Sequence, residues 1–247
     1  MASLSNLPEI DIYQTLKELS AKGYVQTMRP GDTGIGFTLE SLLNITENNS
    51  GEPDFIYNGV PFELKSHRSG ASSNITLITK TPYWDPMPQW DMITKYGYPD
   101  KKGRQALKVT MKVDEFNSQG LGLKLSDNRL DIVHRSDGVT AYFLIDEVRE
   151  KVRTKLYENL LLVFADTKRD GEVEFFHFNR ATLLRKLSAN KFKRLLNDGL
   201  MVFEFRMHIR SPDEGKGDHS VRDHGPGFRL SQRHISKLYE YEEEFFP

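Results

Sequence analysis

Asn58-Gly59 constrains this chain more than any other dipeptide in it. Both central residues of a type I′ turn need φ > 0, and Asn-Gly meets that demand at least steric cost. Apolar runs flank the pair, FIY before it and VPF after it, so the stretch reads as a β-hairpin. A two-residue loop fixes the register. Tyr57 faces Val60, Ile56 faces Pro61, Phe55 faces Phe62, and Asp54 faces Glu63. Hydrogen-bonded and non-hydrogen-bonded pairs alternate, so Pro61, which has no N–H, falls where none is needed. Asp54 and Glu63 are expected to form a close non-hydrogen-bonded pair. Side chains alternate along a strand, so Lys65 shares the face of Glu63, while Phe62 and Leu64 point the other way.

Two carboxylates and an ammonium at one end of a hairpin have chemical consequences. The like charges repel and call for a compensating cation. A hard divalent ion such as Mg²⁺ suits oxygen ligands and also takes phosphate oxygens. With Lys65 beside it to orient or deprotonate water, the layout suits metal-assisted hydrolysis of a phosphodiester. A surface hairpin with an ordinary Glu/Lys pair carries the same short pattern, so the motif alone does not separate the two readings.

A chain of 247 residues suits one large domain, or one with a smaller lobe. Absence of cysteine excludes disulfides, thiolate metal sites and a cysteine nucleophile. No basic-then-apolar leader opens the sequence, and no apolar run approaches membrane-spanning length. The expectation is a soluble intracellular protein. The formal net charge is −1, yet residues 185–235 hold 11 Lys+Arg against 6 Asp+Glu. Charge is therefore unevenly spread, and a local basic surface suits DNA.

Along the chain, a first helix is expected over Pro8–Lys22, with Tyr13, Leu16 and Leu19 as its apolar stripe. The glycine-rich loop RPGDTGIG (29–36) leads into a second helix over Phe37–Ile45, with Glu40 near its N-terminus. Asn74–Lys80 reads as a strand. Thr81–Pro99, with both tryptophans, reads as a packed loop, the alternative being an aromatic DNA-contact loop. The lysines at 101, 102, 108 and 112, with Arg104, suit phosphate contact. Strands are expected at 121–125, 130–133, 139–145, 160–165, 173–178 and 202–210, and helices at Asp146–Tyr157, Asn179–Asn197 and Gln232–Glu244. His219, Arg222, His224 and Arg229 crowd one loop. Arginine and histidine there can reach base edges, while the HSVRDH spacing matches no zinc pattern.

Four blocks, RPGDTGIGFTLESLL, PDF…FELKSH, ITLITKTP and DHGPGFRL, stand in this order. Together they resemble restriction endonucleases of the MvaI and BcnI type, relatives of the mismatch-repair nicking enzyme MutH. The resemblance runs from about residue 28 to 240. It implies a PD-(D/E)XK nuclease, an α/β (α+β) fold with a mixed sheet flanked by helices and two lobes around a DNA cleft. The whole chain, 1–247, would form the endonuclease domain, with a catalytic lobe of about 1–115 plus central strands and a recognition lobe of about 180–247. It also implies Mg²⁺-dependent cleavage of double-stranded DNA, with Mn²⁺ a substitute. A monomer would cut one strand at a time at a CCNGG-like site such as CCWGG or CCSGG. Asp54, Glu63 and Lys65 would be catalytic, with Glu40 as the helix glutamate, and Asp54, Glu63 and the Leu64 carbonyl would hold the metal. His67, His219, Arg222, His224 and Arg229 would meet DNA. A bacterial or archaeal cytoplasm and a cognate DNA methyltransferase are further implications. Two departures bear on specificity: Arg222 stands where a relative carries histidine, and the spacer from Asp54 to Glu63 is longer. Other readings are a MutH-like nicking enzyme and a DNA-binding module that does not cleave.

Overall fold

A computed structural model describes residues 7–46, 52–70, 74–156, 158–211 and 220–246. In chain order the elements begin α1 (Ile12–Ala21), β1 (Val25–Gln26), α2 (Gly34–Leu42), β2 (Phe55–Tyr57), β3 (Val60–Arg68), β4 (Asn74–Thr79), α3 (Gln89–Tyr96), β5 (Tyr98–Pro99) and β6 (Gln105–Met111). They continue as β7 (Leu121–Leu125), β8 (Arg129–His134), β9 (Gly138–Leu144), α4 (Ile145–Leu156), β10 (Asn159–Asp170), β11 (Val173–Leu187) and α5 (Ala189–Asn197). Last come β12 (Met201–Ile209), β13 (Val221–Asp223), β14 (Gly227–Ser231), a 3-10 turn (Gln232–Leu238) and β15 (Tyr239–Phe245). The fold is mixed α+β, with multi-stranded sheets flanked by helices.

Two compact units interleave in sequence. The first takes Met1–Ser73, Arg153–Ser188 and Ile235–Pro247; the second takes Asn74–Val152 and Ala189–His234.

The first unit is built on a sheet of order β1-β11-β10-β3-β2, with β15 added to β11. β3 and β10 run parallel, with Glu63 opposite Leu160 and Lys65 opposite Leu162. The other pairs in this sheet are antiparallel, so the sheet is mixed. One face is covered by α1 and α2, whose Ile12, Leu16, Leu19, Ile35 and Leu39 close over Phe55, Phe62, Leu64, Leu161 and Leu183. Burying such side chains stabilises by about 1.5–3 kcal/mol each before entropy is counted. α1 starts later than expected because Asp11 caps it: its carboxylate accepts the Gln14 N–H at 3.1 Å. Its buried stripe is Ile12, Leu16 and Leu19, while Tyr13 is largely exposed and bonds Glu243.

The second unit holds a sheet of order β4-β14-β12-β6-β5 with β13 on β12, and a three-stranded sheet β7-β8-β9. Its core is aromatic. Phe143, Phe192 and Phe203 ring Phe228 at 5.0–5.5 Å between centroids. Trp84 stacks on Phe205 at 5.4 Å, so this part of the segment 81–99 is packed as expected, although α3 interrupts it.

Two expected helices are corrected. Residues 179–187 are strand, not helix: β11 runs through them because β10 and β15 hydrogen-bond to its two edges. Only Ala189–Asn197 is helical. The closing helix over 232–244 is a 3-10 turn followed by β15, which pairs with β11 from Tyr239–Leu187 to Phe245–Ala181. Long-range pairing overrides local helix preference in both places. No helix of the described residues is long and apolar enough to cross a membrane.

Candidate active site and cationic groove

The hairpin forms in the expected register, with Tyr57 opposite Val60, Ile56 opposite Pro61 and Phe55 opposite Phe62. Asn58 and Gly59 take φ of 51° and 73°, the left-handed values a type I′ turn requires. The ladder stops one residue short of expectation. Asp54 does not face Glu63 in a regular pair; it lies in a bend past the end of β2, its N–H bonded to the Phe62 carbonyl at 2.9 Å. Pro53, with fixed φ and no N–H, stands where the ladder would continue.

This bend turns the Asp54 carboxylate onto β3. Its Oδ2 accepts the Leu64 N–H at 2.7 Å. In a strand the N–H and C=O of one residue point to the same edge, so the Leu64 carbonyl also faces the Asp54 side. On the adjoining face, Lys65 Nζ lies 3.0 Å from Glu63 Oε1. Asp54, Glu63, the Leu64 backbone and Lys65 are thus brought together as the alternation of β3 predicts.

Burial dominates the electrostatics. It pushes the Asp54 carboxyl above its usual range, against the Leu64 N–H and the charges of Lys65 and Lys155. Burial also pushes Glu63 up, opposed by Lys65 and reinforced by the charge of Asp54. A raised carboxyl favours folding while protonated and loses that contribution as pH rises through its folded-state pKa. At neutral pH, then, the pair is a strained element of the fold. Asp54→Asn keeps an oxygen for the Leu64 N–H and removes the buried charge. We expect it to raise stability at pH 7.5 by about 1 kcal/mol, a Tm gain of about 2–4 °C. The gain should vanish near pH 3, where the wild-type carboxyl is itself neutral. Thermal denaturation at the two pH values checks this, and a lowered Tm at pH 7.5 would contradict it.

Glu40 lies in the last turn of α2, not near its N-terminus, because the helix starts at Gly34. Its helix packs on β3: a Cβ on Gly36 would lie 3.7 Å from Ser66 Oγ. Gly34 has no room for a side chain, since a Cβ there would meet the Arg29 carbonyl, so the glycine-rich loop is a tight entry into α2. His67, on β3, is nearly buried and donates from Nδ1 to the Arg68 carbonyl at 2.9 Å.

The second unit carries a groove of about 380 Å³ lined by Lys108, Thr110, Glu204, Arg206 and His224. His224 is exposed, just past β13, with its N–H on the Arg206 carbonyl at 3.0 Å and its ring 5.5 Å from that of His208. Burial lowers its pKa, and the cations Arg222, Arg206 and Lys108 lower it further, so it is neutral at physiological pH. Arg222 is exposed on β13, paired in register with His208. Arg229 is placed differently. Its Nη1 donates to Glu204 Oε2 at 2.6 Å and its Nη2 to the Asn74 carbonyl at 2.7 Å, tying β14 to β12 and β4. His219 lies outside the described residues.

Sequence reasoning passed over Glu204 and Arg206 as site residues, although they stand on the polar face of an otherwise apolar β12, which is a readable signal. It also passed over Lys155, for which adjacency in sequence offers no signal.

Comparison with known proteins bears on this geometry. A structure of the restriction endonuclease MvaI in complex with its cognate DNA substrate matches with a TM-score of 0.73 at 25% identity, over 94% of this chain and 95% of that one. A structure of MvaI without DNA matches at 23% identity and a TM-score of 0.48, over 96% and 97% of the two chains. A search of curated proteins finds no match. A family model, that of the MvaI/BcnI restriction endonucleases, matches residues 13–239. From its mixed sheet to its Asp54–Glu63–Lys65 hairpin, then, this chain belongs to the MvaI/BcnI restriction endonuclease family.

Proposed function

We propose that the protein is a type II restriction endonuclease that hydrolyses phosphodiester bonds of double-stranded DNA at a short pseudosymmetric, CCNGG-like site. It acts as a monomer and cuts the strands in turn. A methyltransferase protects host DNA at the same site. The observation that carries this reading is the convergence of Asp54, Glu63 and Lys65 on one hairpin in a chain of this family.

The donor set fits a divalent metal. Asp54 and Glu63 are partly buried carboxylates whose ionised forms the fold penalises, and the Leu64 carbonyl lies on the Asp54 edge of β3. Among the described residues no third His, Cys, Asp or Glu joins them. Two carboxylates and a carbonyl suit Mg²⁺, or Mn²⁺ in its place, since Mg²⁺ keeps several waters. When bound, such an ion supplies Lewis-acid polarisation of the scissile phosphate.

The remaining work falls to the chain itself. Lys65, held by Glu63, orients the attacking water and takes up its proton or offsets charge on the phosphorane-like transition state. Glu40 extends the acidic surroundings from α2. Arg222 and His224 project toward base edges; neutral His224 can donate from one ring nitrogen and accept at the other. Arg229 fixes β14 and, through Glu204, the floor of the groove. Lys108 and its neighbours track phosphates, which position DNA without reading it. His67 approaches the DNA from the end of β3.

Digestion of supercoiled plasmid in Mg²⁺, Ca²⁺ or EDTA tests the reading. We expect discrete linear fragments in Mg²⁺ alone, preceded by an open-circle intermediate. Open circles that never become linear would favour a MutH-like nicking enzyme. A specific gel shift in Ca²⁺ without cleavage in Mg²⁺ would leave a binding module. The absence of both cleavage and binding would overturn the proposal.

A further inference from the structure

Lys155 sits in the last turn of α4, within the first unit, a hundred residues from the hairpin. Its segment is fixed on both sides to the strands around Glu63. The Leu156 carbonyl accepts the hydroxyl of Tyr239 at 3.2 Å, and Tyr239 is buried. Three residues past Leu156, the Asn159 side chain donates to the Pro61 carbonyl of β3 at 3.2 Å. The next residue, Leu160, stands opposite Glu63 in the parallel ladder. α4 thus ends beside the catalytic strand, and the charge of its final lysine acts on both Asp54 and Glu63.

Two details separate Lys155 from an ordinary helix-end lysine. Its side chain is half-buried. Among the described residues its ammonium makes no ion pair or hydrogen bond, whereas Lys65 is held by Glu63 at 3.0 Å. A cation whose charge acts on two carboxylates while neither holds it in an ion pair is left able to donate to an oxygen of a ligand. Lys65 and Lys155 are the two cations whose charge bears on both Asp54 and Glu63.

Resting on the nuclease reading above, we propose that Lys155 is a further substrate-binding residue of the cleavage site, donating to a backbone phosphate of the strand being cut. The two acids would otherwise repel that phosphate. Lys65 already serves Glu63, so a second ammonium lets a polyanion approach a site built of carboxylates. The helix C-terminus favours a cation at this position.

Lys155→Met retains the aliphatic stem and removes the charge, and Lys155→Arg restores it. We expect Lys155→Met to slow single-turnover cleavage about 10- to 100-fold, the loss of one charge-assisted hydrogen bond. The slope of log affinity against log salt, measured with cognate DNA in Ca²⁺, should fall by about one phosphate contact. Lys155→Arg should recover both to within a few-fold. A merely structural lysine would change the Tm and leave the salt slope alone. Wild-type protein that cuts DNA, with Lys155→Met matching it in rate and salt slope, overturns the assignment and leaves the nuclease reading intact. Wild-type protein that neither cuts nor binds overturns both.

Discussion

Lys65→Ala should abolish cleavage, lowering the single-turnover rate by about 10³-fold or more, while cognate DNA is still bound in Ca²⁺. The size follows from what is lost together. Proton transfer by a positioned group contributes about 10²–10⁴-fold, and a cation preorganised at developing charge adds a further factor. The ammonium is 3.0 Å from Glu63 Oε1, on a strand held by β10, so its placement is fixed before DNA arrives. A second consequence concerns Glu63. Lys65 is what most opposes the upward push of burial on that carboxyl, so removing it drives Glu63 further toward its protonated form. The residual activity of Lys65→Ala should therefore need a higher pH than the wild type. Lys65→Arg tests the chemistry itself, because a guanidinium supplies charge but does not release a proton. If it cleaves within about tenfold of wild type, Lys65 works by charge alone. Lys65→Ala cleaving within tenfold would remove Lys65 from catalysis.

The hairpin was legible because each of its determinants is local. Asn58-Gly59 specifies the turn, Pro61 fits one class of pair, and alternation puts Glu63 and Lys65 on one face; the observed register follows. The position of Asp54 was only half legible. That it lies beside β3 follows from the hairpin, but its bond to the Leu64 N–H depends on a bend past the ladder's end. The second half of β11, residues 179–187, and β15 carry a helix-like pattern for a physical reason. Leu183 and Leu184 with Arg185 and Lys186 give a short apolar run with charged ends, which periodicity alone cannot assign. The acidic run Glu242–Glu244 favours helix by composition, yet its backbone pairs with β11, and the two strands form each other's context. Sites assembled across long separations were out of reach. Nothing near Lys155 in sequence points to Glu63, and nothing near Arg68 points to Glu174, which lies 106 residues on.

That last pair carries the largest stability effect we expect. Arg68 ends the catalytic strand. Its Nε and Nη2 donate to the two oxygens of Glu174 at 2.8 Å each, a bidentate pair. The same guanidinium donates to the carbonyls of Asp32 and Gly31 at 3.3 and 3.4 Å. One side chain thus joins β3, β11 and the glycine-rich loop that enters α2. Glu174 is only 8% exposed, so Arg68→Ala would leave a nearly buried carboxylate with Arg169 as its remaining cation. Breaking a buried pair costs about 3–5 kcal/mol; with Arg68 a quarter exposed, the lower end, about 3 kcal/mol, is expected, or a Tm loss of about 6–12 °C. The effect should depend on pH. The Arg68 hydrogen bonds hold the Glu174 carboxyl below its usual range, so its contribution is present above the ordinary carboxylate pKa and is lost as pH falls through the lower folded value. Wild type and Arg68→Ala should therefore converge in Tm as the pH is lowered below about 4. Arg68→Lys should recover less than half of the loss, because an ammonium cannot bind both carboxylate oxygens in the fork geometry and reach the loop carbonyls as well. A double-mutant cycle with Glu174→Gln should return a coupling of about 1.5–3 kcal/mol. An Arg68→Ala protein that melts within a degree or so of wild type at pH 7.5 would show that the loop and strands are held by their backbone pairing alone.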